Sequence, residues 1–275
     1  MTSPREAATI ADQVEAAAYA DLFEAAPEEL KTGLGIRVER IAGMTLLIAP
    51  GAPVTIFNRV MGLGLEQPAS ESDVEAVLAA YKQAEVRTWW LHWNPFAQPK
   101  QFPASLRALD FKEPSRRAWA KMMRGTEPPP RIRTDLNIAP AHQHNVEAAM
   151  GEVAQAFGMP PVMARWLAAL QGRPRWKVYV VADQGRPVGG ACLFIDGDRA
   201  WLGVAAIAES HRRRGGQGAV MALRIEEAIA AGCTHIVTET GEPVDDEPNP
   251  SLSNMKRCGF RQVASRLNFE WRAGV

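Results

Sequence analysis

The stretch Ala208-Glu-Ser-His-Arg-Arg-Arg-Gly-Gly-Gln-Gly-Ala219 limits the possible folds more than any other part of the chain. It follows an apolar run, Trp201-Leu-Gly-Val-Ala-Ala-Ile207, which has no helical polar face and reads as a strand. It precedes Met221, Ile225, Ala228 and Ile229, which recur at helical spacing, while Arg224, Glu226 and Glu227 fall mostly off that stripe. Gly232 ends the helix, and the β-branched His235-Ile-Val-Thr-Glu-Thr240 makes the next strand. Strand, glycine-rich loop, helix and strand in that order predict a parallel crossover. Glycines at 215, 216 and 218 leave backbone N–H groups unobstructed, the helix start adds its unpaired first-turn donors and positive dipole end, and Arg212, Arg213 and Arg214 add charge. The loop is therefore expected to cradle the phosphates of an anionic cofactor.

Spacing narrows the kind of cradle. A nucleoside triphosphate loop requires Lys-Ser or Lys-Thr after its glycines, and none follows here. A dinucleotide loop requires Gly-x-Gly-x-x-Gly or Ala, but the residue three after Gly218 is Met221. What remains, Arg213-x-x-Gly216-x-Gly218 at a strand-to-helix junction, resembles the pyrophosphate loop of the GNAT N-acyltransferase superfamily. Ser251-Leu-Ser-Asn-Met-Lys-Arg-Cys-Gly-Phe260 is similar to the short helix and Gly-Phe turn after the fifth GNAT strand, so the resemblance spans residues 131 to 275.

Composition sets the wider frame. With 275 residues, 47% of them hydrophobic, the chain can bury two compact units. Its 31 basic and 31 acidic residues cancel, which argues against nucleic acid or an anionic membrane as a partner. Cys192, Cys233 and Cys258 show neither disulfide nor zinc spacing, which fits a reducing cytoplasm. Residues 1 to 20 carry no signal pattern, and the most hydrophobic stretch, Met44 to Leu65, is broken by Pro50, Pro53, Asn58 and Arg59.

Gly125-Thr-Glu-Pro-Pro-Pro130 is the best linker, since three prolines cross neither a helix nor a central strand; it divides residues 1–125 from 131–275. Beyond it come a strand at 133–138, an alanine-rich helix near 141–157, a helix after Pro160-Pro161, and an antiparallel meander at 177–182, 188–195 and 200–207. The first half reads as a helix near 5–26, strands near 36–41 and 44–49, a helix opened by the capping box Ser72-Asp-Val-Glu75, and a strand at 87–93. Leu106-Arg-Ala-Leu-Asp-Phe111 echoes Met255-Lys-Arg-Cys-Gly-Phe260, which suggests a degenerate internal duplication. The expected fold is α/β: two tandem GNAT-like domains, with a mixed, mostly antiparallel sheet flanked by helices.

The resemblance implies acetyl-CoA as co-substrate and direct transfer of its acyl group to an amine. By motif register Ala206, Ile207 and Ala208 pair with the pantetheine arm, and a backbone N–H there can polarise the thioester carbonyl. Arg213, Arg214, Gly215, Gly216, Gln217, Gly218 and Ala219 would hold the pyrophosphate. Glu239 is the first candidate for general base and Glu209 the second, each with a solvated or salt-bridged alternative. Met255 stands where many relatives carry an acidic tyrosine, so Ser253 or bound water would take its place, and Asn254 either contacts the cofactor or caps local backbone.

Other features read as structural. Arg59-Val-Met-Gly-Leu-Gly64 repeats the arginine-glycine spacing but runs on into Leu65-Glu-Gln-Pro68 before any helix, which favours a structural turn or acceptor-site wall. His142 and His144 lack further ligands and read as solvated, so no metal is expected; His211 is a weak phosphate contact, and Trp89, Trp90 and Trp93 read as core. The amine acceptor, small molecule or peptide, is not specified, and neither is an oligomeric state. A non-catalytic acyl-CoA-binding regulator is the alternative function, and a purely structural interaction protein the third.

Overall fold

The computed structural model describes residues 2–113, 118–243 and 248–273. In chain order the elements are α1 Pro4–Glu24, α2 Glu28–Leu34, β1 Arg37–Ile41, β2 Met44–Ile48, β3 Arg59–Met61, α3 Glu71–Gln83, β4 Thr88–Trp93, α4 Phe102–Ala108 and β5 Ala118–Arg124. After the proline segment follow β6 Asn137–Pro140, α5 Val146–Ala156, α6 Val162–Ala168, β7 Trp176–Asp183, β8 Arg186–Asp196, β9 Arg199–Ile207, α7 Gly216–Ala230, β10 His235–Gly241, α8 Pro250–Arg257 and β11 Arg261–Arg272. The strands form one mixed sheet in the order β1-β2-β3-β4-β11-β5-β10-β9-β8-β7-β6.

Two parallel ladders occur among the described residues, β3 with β4 and β9 with β10, and in each a helix makes the crossover. The strand–helix–strand–short helix order thus appears twice. The echo seen in sequence is geometric as well. Asp110 (φ 67°) and Gly259 (φ 84°) both take the left-handed conformation after a short helix. The next residue then donates back five positions, Phe111 to Leu106 and Phe260 to Met255, each at 3.1 Å.

The two halves exchange strands. β5 comes from before the prolines, yet it lies between β10 and β11; the last strand, β11, lies between β4 and β5.

Helices cover both faces. α1, α5 and α6 pack on one through Val14, Leu22, Phe23, Met150 and Trp166. On the other, α3 and α4 cover the first half and α7 and α8 the second. α1 begins at a full capping box, Ser3 with Glu6, and crosses the sheet centre against β5, β9, β10 and β11. Trp89 and Trp93 are core as expected, and Trp90 is half-buried with its indole N–H on Glu270 at 3.0 Å.

Local boundaries differ from the sequence reading in three places. The capping box of α3 is Ser70 with Asp73, two residues before the expected one, because Ser72 already lies within the first turn. The strand expected at 133–138 forms at 137–140, since residues 132–136 pack over the glycine loop instead of pairing. α5 starts at Val146 rather than near 141 because Asn145 accepts the His142 N–H and holds a turn ahead of the helix. No helix among the described residues is long and apolar enough to cross a membrane.

Candidate active site

α7 starts where the sequence placed it, with Gly215 (φ 80°) as N-cap and Arg213 (φ 64°) also left-handed. Alternation of left-handed and ordinary residues turns successive N–H groups to one side, a concave anion nest. Among the described residues, the backbone N–H groups of Arg213, Arg214, Gly215, Gly216, Gln217 and Gly218 make no hydrogen bond to protein, whereas Ala219 donates to Gly215 at 3.0 Å. Arg212 and Arg213 are exposed and form no ion pair among the described residues. The nest thus offers positive charge and free N–H donors to an anionic group.

The reason for the glycines is different from the one expected. A Cβ on Gly215 would collide with the Arg133 carbonyl, one on Gly216 would stand 2.7 Å from Leu136 and one on Gly218 2.8 Å from Ile132. They are required by the close approach of residues 132–136 to the start of α7, which leaves the donor side open. Arg214 also departs from its expected role. Its guanidinium is clasped by Asp135 (2.6 Å) and Asp183 (2.8 Å), and its hydrogen bonds hold both carboxyls below the usual range, so it anchors the loop and offers a ligand only its backbone N–H. His211 joins the same clasp, with Nε2 3.3 Å from Asp183.

The second part of the site is a gap in the sheet. β9 and β10 pair only over Arg199–Trp201 and His235–Val237. Thr238 Oγ1 then reaches the Leu202 carbonyl at 2.7 Å, and beyond that the strands part. The β8–β9 register passes from Cys192 opposite Gly203 to Gly190 opposite Ala206, so Val204 and Ala205 form a bulge, with Val204 at φ 47°. Residues 203–206 are half-exposed along the gap. Ala208 cannot polarise a ligand carbonyl as expected, because its N–H is committed to Val188 O at 2.8 Å. By antiparallel alternation Ala206 faces β8 too, and the N–H of Ile207 points into the gap.

On the α1 face of the gap sits a buried charge network. Lys121 on β5 lies 2.6 Å from Glu15 on α1, 3.0 Å from Glu239 on β10 and 3.9 Å from Asp12. Arg266 on β11 pairs with Asp12 at 3.0 Å and with Glu15, and Arg59 stands 3.5 Å from Glu15. Three acids face three bases. Glu239 also accepts from the Trp201 indole at 2.9 Å, and Tyr19 of α1 packs on Trp201 with ring centroids 5.2 Å apart. Burial and the nearby Glu15 raise the Glu239 carboxyl above its ordinary value, outweighing Lys121 and Arg266. Burial acts on Glu15 too, but Arg266, Lys121 and Arg59 overcome it and hold that carboxyl well below the usual range.

The remaining candidates are scattered. Glu209 is exposed at the start of a 3-10 turn and makes no ion pair among the described residues. Ser253 is exposed and donates to Asn249 O at 3.1 Å, one turn back in α8. Asn254 is half-buried, and Met255 points into the α7–α8 core, 4% exposed. Sequence reasoning missed Asn249. It caps α8 through Leu252 N–H at 2.9 Å while its amide holds the end of β10 at Gly241 O, 2.7 Å. The Asn-Pro step at a helix start was the available signal. It missed Glu15, Tyr19 and Lys121 for a different reason, since only the tertiary fold brings α1 and β5 beside Glu239.

The second arginine-glycine motif is structural. Arg59 is buried in the charge network, and Gly64 (φ 75°) accepts from Gln98 N–H at 2.8 Å, with α3 beginning only at Glu71. His142 and His144 stack on each other, 5.8 Å between ring centroids. Among the described residues no cluster of three or more His, Cys, Asp or Glu could hold a metal ion, and all three cysteines are free and buried.

Comparison with known proteins agrees with this geometry. Residues 146–260 match the family model described as the acetyltransferase (GNAT) family. A search of curated proteins found no match. Among solved structures, a GCN5-related N-acetyltransferase from Kribbella flavida superposes with a TM-score of 0.64 at 18% identity, covering 88% of this chain and 93% of that one. A tandem GNAT protein from the clavulanic acid biosynthesis pathway gives 0.62 at 15% identity, over 86% and 82%. A GCN5-related N-acetyltransferase from Sphaerobacter thermophilus gives 0.58 at 17%, over 84% and 82%. These likenesses establish a shared fold. The family match itself lies in residues 146–260, the part of the chain that carries the open edge of β9 and the start of α7.

Proposed function

We propose that the chain is an N-acyltransferase that moves the acetyl group of acetyl-CoA directly to an amine. One observation carries the reading: six consecutive N–H groups, from Arg213 to Gly218, have no protein partner among the described residues and stand at a helix start one short turn beyond a strand edge that no other described strand covers. Bound there, the coenzyme would supply an activated acyl group on a thiol leaving group.

The chain's own residues do the rest. The N–H groups of 213–218, with Arg212 and Arg213, hold the diphosphate, and the Ile207 N–H polarises the acyl carbonyl. Glu239 draws the proton from the attacking amine; Lys121 and Trp201 fix its carboxylate, and burial raises its proton affinity toward the working range. A thiol of intrinsic pKa near ~8.5 leaves readily, so water rather than the tethered Ser253 is sufficient to protonate it.

A second reading, an acyl-CoA sensor without turnover, is favoured by the occupied state of Glu239: Lys121 and Trp201 already bond its oxygens, and α1 lies over that face. Calorimetric titration with acetyl-CoA, followed by thiol release assayed across a panel of primary amines, separates the readings. The proposal expects binding that Arg212→Glu/Arg213→Glu weakens by about tenfold or more, and turnover on at least one amine. Binding without turnover would favour the sensor, and a folded protein with no affinity for acetyl-CoA would refute both.

A further inference from the structure

Arg224 on α7 was expected to fall mostly off the apolar stripe, yet it is 1% exposed. It forms no ion pair among the described residues. Its guanidinium is instead surrounded by main-chain carbonyls: Nη1 donates to Cys192 O at 2.9 Å and Gly203 O at 3.3 Å, and Nε donates to Val220 O at 3.2 Å within its own helix. Burial lowers its pKa to about 10. A charged group is costly to hold in such a place, and a methionine would fill similar space without that cost.

The two strand carbonyls explain the arginine. Cys192 and Gly203 are the last register pair before the β8–β9 bulge, so one guanidinium grips both strands where Val204 and Ala205 are forced out of register. From the opposite face the Trp201 ring lies over Gly203, where any Cβ would collide with it, and its indole is fixed by Glu239. The bulge is thus held from both sides, and the backbone it displaces, 204–207, lines the gap between β9 and β10. Leu, Met or Ala at 224 would leave the buried Cys192 carbonyl and the part-buried Gly203 carbonyl without this donor.

We propose that Arg224 is a positioning residue for acyl transfer: from behind the sheet it sets the β9 bulge, and thereby the strand edge that receives the pantetheine and acyl portion of the coenzyme. This rests on the acyltransferase reading above. It separates the two ends of the ligand, because the diphosphate nest at 213–218 does not depend on the Arg224 guanidinium.

The test uses the full chain and two probes, acetyl-CoA and adenosine 3′-phosphate 5′-diphosphate, the coenzyme's nucleotide end without the arm. Arg224→Met should weaken acetyl-CoA binding about tenfold or more and leave the nucleotide within about twofold, with faster hydrogen exchange confined to amides 204–207. Arg224→Lys keeps a donor in place and should fall between; it also serves if the methionine variant fails to fold. Equal weakening of both probes in a folded variant, or no weakening of acetyl-CoA, overturns the role of Arg224 alone. If the unmodified protein binds neither probe, the acyltransferase reading fails and this inference with it.

Discussion

Replacing Lys121 by methionine tests the charge network beneath α1. The six groups carry three negative charges (Asp12, Glu15, Glu239) and three positive ones (Arg59, Lys121, Arg266), so the substitution leaves one surplus negative charge in a site where Lys121 is fully buried. Lys121 is the group that touches both Glu15, at 2.6 Å, and Glu239, at 3.0 Å, so both lose their bridging cation. Breaking a buried pair from one side typically costs about 3–5 kcal/mol, and that is the loss expected in urea unfolding near neutral pH. The sign with pH follows from Glu239. Its carboxyl is already raised by burial and Glu15, so its ionisation opposes folding, and its contribution is most favourable below the unfolded value near ~4.3 and is lost as pH rises through the folded one. Removing Lys121 raises it further, so the deficit of Lys121→Met shrinks on acidification as Glu239 takes up a proton. Adding Glu239→Gln restores charge balance at two against two and recovers about half or more of the lost stability. A single variant as stable as the parent, or a double variant no better than the single, would refute the electrostatic account.

Two further outcomes follow from the loop. Gly215→Ala meets both a left-handed backbone at φ 80° and the Arg133 carbonyl; it should lose about 1–2 kcal/mol in thermal unfolding and also weaken acetyl-CoA binding. A loss of stability with unchanged affinity would show that the nest is not the binding element. Asp183→Asn removes one of the two carboxylates on Arg214 and the partner of His211, so hydrogen exchange should quicken at 211–218 while the sheet stays protected; uniform exchange would count against the clasp.

How much of this was legible depends on how local the signal is. The β9–loop–α7–β10 crossover could be read because glycine spacing and apolar period both lie within about forty residues. The paired turns at Phe111 and Phe260 were readable for the same reason. Arg224 was not, since its pattern position marks a polar face and only the carbonyls of two distant strands explain its burial. Glu239 was found as an acid on the right strand, but its partner Lys121 lies 118 residues away on β5 and the nearby Glu15 farther still on α1, beyond any spacing rule. Residues 132–136 read as strand because they alternate; the close approach to Gly215 and Gly218 that takes them out of the sheet has no local trace.

The traded strands bind the fates of the two halves together. A piece cut after residue 125 would keep β5 but lose β10 and β11, both of its neighbours, and a piece starting at 131 would have β10 and β11 with nothing between them. Cleaving the proline connector should therefore yield a nicked but intact particle, and neither gene fragment is expected to make a well-behaved protein alone. Whatever joined the two repeats, they can no longer be inherited separately.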